Sequence, residues 1–143
     1  MTRALGLDLG SVRIGVATSD PGRVIASPYD VIRRGNDHAA DHAAIAAAVD
    51  DSQATVVVVG LPRNMRGQET AAAQAVRAEA EELRAALAVP VVFWDERLST
   101  VTAQRSLIEG GVRRKQRKDS VDKVAAAVIL QSWLDAGCPT DRG

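Results

Sequence analysis

The chain has 143 residues, 46% hydrophobic and 25% charged, with 18 basic and 18 acidic side chains and no formal net charge. This length can bury one domain core without staples, and the charge balance excludes a globally basic nucleic-acid binder while leaving room for a basic patch on one face. A single cysteine, Cys138, excludes an internal disulfide and fits a reducing compartment.

From the start, Met1-Thr2-Arg3-Ala4 runs straight into a strand pattern without the apolar core of a signal peptide. Leu5, Leu7 and Leu9 alternate with Gly6 and Asp8, which predicts the first strand. Residues Ile14 to Thr18 predict a second, and Val24 to Ile32 a third after the turn Asp20-Pro21-Gly22-Arg23. Strands this close are most simply joined as antiparallel hairpins. Alanine-rich Asp37 to Val49 predicts a helix. Thr55 to Val59 is β-branched without polar alternation, as expected of a strand covered on both faces. Gly60-Leu61-Pro62-Arg63-Asn64 then reads as a loop, and Gln68 to Leu87 as a long helix with Val76, Ala80, Leu83 and Leu87 on one face. Val89 to Asp95 predicts another buried strand. Ser99 suits the N-cap of a helix stopped by Gly110-Gly111. Val112 to Lys118 reads as a basic loop, and Asp119 to Leu134 as the last helix, with Asp119 as its cap.

Three strands followed by alternating helices and buried strands predict a single α/β domain over residues 1–136, with a tail at 137–143. Its sheet is mixed and five-stranded, and helices cover both faces. The longest apolar run, Val56 to Leu61, is far too short to span a membrane, so a cytoplasmic protein without a membrane partner is expected.

Three acids stand out. Asp8 ends a strand on the Gly6 face, away from the leucines, where it could cap the following turn or serve a site that glycine neighbours keep open. Asp95 and Glu96 are adjacent and point to opposite faces, so only one can join Asp8. Geometry leans toward Glu96, at the strand end where open α/β sheets place ligands. Asp122 would occupy the N3 position of a helix capped by Asp119, yet it shares a stripe with Ala126, Ile129 and Trp133 that must face the sheet. Converging carboxylates repel unless a hard cation holds them together. A cation held beside basic residues is equipment for phosphodiester hydrolysis.

Five of the six residues in Arg113-Arg114-Lys115-Gln116-Arg117-Lys118 are basic. The run could be a solvated charge cluster or a phosphate-grasping arm. Few aromatics are present, so recognition by backbone and shape is favoured over base stacking. His38 and His42 have helical i, i+4 spacing and could in principle bind zinc. No third ligand follows in a zinc-protease pattern, and an exposed polar face is the expectation.

Four segments together resemble the YqgF family of RNase H-like nucleases, described as Holliday-junction resolvases and pre-16S rRNA nucleases. They are Leu5 to Gly10 with Arg13 to Ala17; Val59 to Pro62 with Asn64, Met65 and Gly67; Asp95 to Thr100; and Asp122 to Ala126 with Ile129, Leu130 and Gln131. The resemblance implies an RNase H-like fold and a role in maturing the 5′ end of 16S rRNA. It also implies that Asp8, Glu96 and Asp122 are the catalytic, metal-holding acids, which settles the choice between Asp95 and Glu96. Two departures are Val12, where members often carry lysine, and Glu79, where an apolar aromatic is usual.

The expected activity is therefore nucleolytic, with Mg²⁺ or Mn²⁺ as cofactor. Arg13, Asn64, Arg97, Thr100, Arg113, Arg114, Lys115, Arg117 and Lys118 are expected to contact nucleic acid. The partners would be precursor rRNA and the ribosome or its small subunit, with the protein a monomer or homodimer. A homodimeric resolvase of branched DNA and a non-catalytic RNA-binding assembly factor are the alternatives.

Overall fold

The alternation of leucine with glycine and aspartate in β1 (Arg3–Leu9) is resolved by two different layers packing on its two faces. In the computed structural model, which describes residues 2–62, 66, 68–96 and 114–139 (114–123 by backbone alone), β1 is central. It pairs antiparallel with β2 (Arg13–Ser19) and parallel with β4 (Ala54–Leu61). Beyond β2 lies antiparallel β3 (Ala26–Arg33), and beyond β4 lies parallel β5 (Val91–Asp95). The sheet order is β3-β2-β1-β4-β5.

One face carries Leu5, Leu7, Ile14, Val16, Val57, Val59, Leu61 and Phe93, which pack with Ile45, Val76, Ala80 and Leu83 of α1 (His38–Ser52) and α2 (Ala71–Ala86). The other carries Ala4, Ala17, Val56, Val58 and Trp94. These pack with Ala126, Ile129, Leu130 and Trp133 of α3 (Arg114–Asp135). Period-two strands thus bury both of their faces, which is why β4 reads as an unbroken apolar run.

The mixed five-stranded sheet with helices on both sides matches the sequence reading. Alanine-rich segment 38–52 forms one helix, with the Asp37 carboxylate accepting a bond from the Ala40 amide at 2.9 Å as its N-cap. Two boundaries need correction. Gly60 and Leu61 are not loop: they continue β4, paired with Trp94 and Asp95. Residues Arg114 to Lys118 are not loop either, because α3 begins at Arg114 and Asp119 lies inside the helix rather than capping it. Arginine, lysine and glutamine are good helix formers, so the basic run extends the helix instead of delaying it. The helix expected after Ser99 lies outside the described residues.

Candidate active site

The α3 face of the sheet is unusually close to its helix, and glycine makes that possible. A Cβ on Gly6 would lie 2.8 Å from the Leu130 Cβ and 3.1 Å from the Ala126 carbonyl oxygen. A Cβ on Gly60 would lie 2.6 Å from Ile129 Cδ1. Small residues on β1 and β4 therefore let α3 settle onto the strands. Its C-terminal half is pinned by side chains. Gln131 accepts from the Ala26 amide and donates to the Val24 carbonyl, both at 2.9 Å, and the Trp94 indole donates to Ser132 Oγ at 2.9 Å. Trp133 lies under Arg23, which bonds the Thr2 carbonyl before β1. The C-terminal half of α3 is thus at the start of β1, and its earlier turns run toward the end of β1.

Asp8 is at that end. It is buried, and alternation puts it with Gly6 on the α3 face. Leu7 pairs with Val59, so the next residues in register are Asp8 and Gly60. Glu96 follows β5 directly, and its side chain lies over Gly60. The Glu96 Oε1 is 3.1 Å and its Cγ 3.2 Å from where a Gly60 Cβ would sit. Gly60 is thus a cradle between two carboxylate-bearing strand ends, a role that the loop reading of residues 60–64 concealed. Asp95 is buried, and alternation with Trp94 turns it toward the α2 face, away from Asp8. Of the two adjacent acids, Glu96 shares the face of Asp8.

Asp122 lies in α3 one turn before Ala126, on the approach of the helix to the Asp8 end of the sheet. Arg13 begins β2 and alternates with Gly15 and Ala17, which places it on the same face, two positions beyond Gly15, the partner of Asp8. Arg114, Lys115, Arg117 and Lys118 fall in the first two turns of α3. Asn64, Arg97, Thr100 and Arg113 lie outside the described residues.

The turn after Asp8 is fastened from the opposite side. The Gly10 amide donates to the Asp8 carbonyl at 3.0 Å, Arg34 Nε donates to the Gly10 carbonyl at 2.7 Å, and the Arg34 amide donates to the Val12 carbonyl at 3.0 Å. The same guanidinium meets Glu79 of α2 through two bonds of 2.8 Å and Asp41 of α1 at 3.1 Å. Glu79 Oε2 also receives His42 Nε2 at 2.9 Å, and Asp41 Oδ1 accepts from the Gly35 amide at 2.8 Å. Burial pushes the Glu79 carboxyl up, but the bonds from Arg34 and His42 outweigh it and hold the group below the usual carboxylate range. The bond to Glu79 raises Arg34 in turn. His42 is buried, so the expectation of an exposed histidine face fails for it; it holds only for His38. The physical reason is Glu79, a charge in the apolar seam of α2 that needs partners from α1. The departure at Glu79 was the sequence signal for this network. Arg34 and Asp41 gave none.

A mixed sheet in this order with helices on both faces is an RNase H-like fold, and its acids Asp8 and Glu96 lie at the ends of β1 and β5, with β4 between them. The chain resembles two solved structures at fold level. It is 17% identical to the Thermus thermophilus RuvC chain solved in complex with a Holliday junction substrate, with a TM-score of 0.57 over 98% of this chain and 99% of that one. A second Thermus thermophilus RuvC structure gives a TM-score of 0.53 at 17% identity, covering 95% and 97%. Among sequences, a protein of Paracoccus denitrificans (strain Pd 1222) named "Putative pre-16S rRNA nuclease" is 51% identical over 130 residues, 91% of this chain and 82% of that protein. One of the same name from Myxococcus xanthus (strain DK1622) is 48% identical over 139 residues, covering 97% and 91%. The family model described as "RuvX: Holliday junction resolvase" matches residues 2–136. The chain belongs to the RuvX family and is, by family, a hydrolytic nuclease. Among the described residues no helix is long and apolar enough to cross a membrane.

Proposed function

We propose that Asp8, Glu96 and Asp122 form the catalytic site of a metal-dependent nuclease that matures the 5′ end of precursor 16S rRNA. The observation that carries this reading is the glycine cradle: Glu96 reaches over Gly60 toward the strand that ends in Asp8. The residues fit a hard divalent ion, since their donors are all carboxylate oxygens and the cradle keeps side-chain bulk out of the space between them. When bound, Mg²⁺ or Mn²⁺ would lower the pKa of a water and offset charge on the phosphate. The chain's own part is electrostatic and positional. Asp8 is held by the β1–β2 turn and Glu96 by the end of β5, so neither needs to reorganise during reaction. Arg13, Arg97, Arg113, Arg114, Lys115, Arg117 and Lys118 would neutralise phosphates of the strand, with Asn64 and Thr100 as further contacts. Basic residues in the opening turns of α3 oppose its macrodipole, and an anionic strand there would relieve that conflict. Identities near 50% to proteins named for pre-16S rRNA favour this RNA as substrate.

The test is a cleavage assay of purified protein with Mg²⁺ and with Mn²⁺. The substrates are a 16S precursor leader, single-stranded DNA and a four-way junction. Metal-stimulated cutting of the leader, lost in Asp8→Asn and in Glu96→Gln with the fold retained, is expected. Full activity in either variant would remove the acid from the site.

The family description and the RuvC-like fold favour a second reading, resolution of branched DNA. It requires a homodimer, because a four-way junction takes two symmetric cuts. Preferential junction cleavage by a sedimenting dimer would establish it. Tight leader binding with no metal-stimulated cutting would leave an RNA-binding assembly role.

A further inference from the structure

The fold supplies the third ligand that the His38–His42 spacing lacked. Glu79, from the neighbouring helix, joins the two histidines so that one ligand atom of each lies within 4.8 Å of the others. We propose that His38, His42 and Glu79 form a second metal site, specific for zinc-class transition ions, on the face of the sheet opposite the acidic site.

The donor set is the first argument. Two imidazoles and a carboxylate suit Zn²⁺ or Co²⁺, whereas Mg²⁺ takes oxygen ligands and keeps its waters. Geometry is the second. Ligand bonds of about 2.0–2.2 Å arranged tetrahedrally leave neighbouring donors about 3.3 Å apart. His42 Nε2 and Glu79 Oε2 are already 2.9 Å apart. A metal there replaces the shared proton with a small widening. His38 completes the chelate from one turn earlier on α1, its ring centroid 5.4 Å from that of His42. His38 is half exposed, so it can rotate in and leaves an entry path.

The surrounding shell is the third argument. His38 Nδ1 is 2.8 Å from Glu82 Oε2, the carboxylate–histidine pairing that orients ligating imidazoles and leaves the other nitrogen to coordinate. Asp41, Glu79 and Glu82 outnumber the Arg34 guanidinium beside them by two formal charges, which is the charge of the ion. The group also borders a cavity of about 330 Å³ lined by Gly10, Ser11, Arg34 and Pro62, with room for a water in an open coordination position.

The site shares no ligand with Asp8, Glu96 or Asp122, and its failure would not touch the nuclease reading. The untagged full-length protein, stripped by chelator, is titrated with Zn²⁺ by calorimetry and with Co²⁺ by visible absorption. One equivalent per chain is expected, with a low-coordinate cobalt spectrum undiminished by excess Mg²⁺. His38→Ala should weaken binding at least tenfold, and its exposure makes it safe for folding. Asp8→Asn and Cys138→Ser should leave the affinity unchanged. Absence of saturable binding, an unaltered affinity in His38→Ala, or loss in Asp8→Asn or Cys138→Ser would each overturn the assignment. His42→Gln, checked by circular dichroism, should abolish the cobalt spectrum; a persistent spectrum in folded protein would also overturn it.

Discussion

The two faces of the sheet place their acidic residues differently. On the α1/α2 face, Glu79 and Asp41 sit among named donors: Arg34, His42 and the Gly35 amide. That network is closed, and it joins three elements to the turn after Asp8. On the α3 face, Asp8 and Glu96 sit to either side of Gly60, at strand ends where an open sheet presents its ligands. On the first face the charges tie two helices to a turn, and on the second they gather at strand ends beside a glycine. A family departure at Glu79 is thus accommodated on the first face without altering the acids of the second.

The largest expected effect is on the α3 face. Asp8→Asn and Glu96→Gln keep shape and remove a charge, so cleavage should fall at least about 10³-fold, about 4 kcal/mol of transition-state stabilisation. Single-turnover assays on the leader, with denaturation midpoints unchanged, are the check. Comparable destabilisation of the fold would show that these acids are structural, and the contrast between faces would break.

The closed network should show the reverse pattern. Glu79→Leu strands Arg34 and His42 and should cost about 3 kcal/mol in stability, at the low end for breaking a buried pair because Arg34 keeps some access to water. Arg34→Met combined with Glu79→Leu should recover part of that loss, since both partners go together. The sign with pH follows from Glu79, whose carboxyl is lower in the folded than in the unfolded chain. Its contribution is present above the ordinary carboxylate pKa and is lost as pH falls through the depressed value. Urea midpoints across acidic pH should therefore converge between wild type and Glu79→Leu. Parallel curves would show that the pair contributes nothing.

Close packing under α3 offers a smaller probe. Gly6→Ala meets a Cβ and a backbone carbonyl, neither of which can rotate aside, and should cost about 1–3 kcal/mol. Gly60→Ala meets the flexible ends of Ile129 and Glu96, so it should cost less stability yet displace the Glu96 carboxylate and lower cleavage. Equal effects of the two on stability and activity would argue against a cradle at Gly60.

How much of this was legible depended on whether the signal was local. Strand alternation and unbroken apolar runs gave all five strands, whereas parity showed only that one of Asp95 and Glu96 can share the face of Asp8, and the choice of Glu96 needed its strand-end position and the family resemblance. The start of α3 was misplaced because an acidic residue before an apolar stripe looks like a cap, while a basic run has helix propensity of its own. Gly60 was read as loop because glycine before Leu61-Pro62 looks like a turn; its pairing with Trp94 is a property of the sheet. The Arg34–Glu79–His42 network was invisible because its members are 37 and 45 positions apart in sequence. Only the misfit of a glutamate in an apolar seam hinted at it.

His38 tests the outer edge of the closed network, where the smallest effect is expected. Its bond to Glu82 raises the imidazole pKa above the ordinary value, with the Glu79 charge adding to the rise. The pair therefore stabilises the fold fully below the unfolded pKa, and this contribution is lost as pH rises through the elevated folded value. Both side chains are about half exposed, so His38→Ala should cost under about 1 kcal/mol even at acid pH, as exposed ion pairs do. Chemical denaturation with chelator present should show that small gap closing toward alkaline pH. With Zn²⁺ in place of chelator the gap should widen, because wild type then gains binding free energy that the variant lacks. A gap unaffected by zinc would leave His38 as a surface residue of the first face and no more.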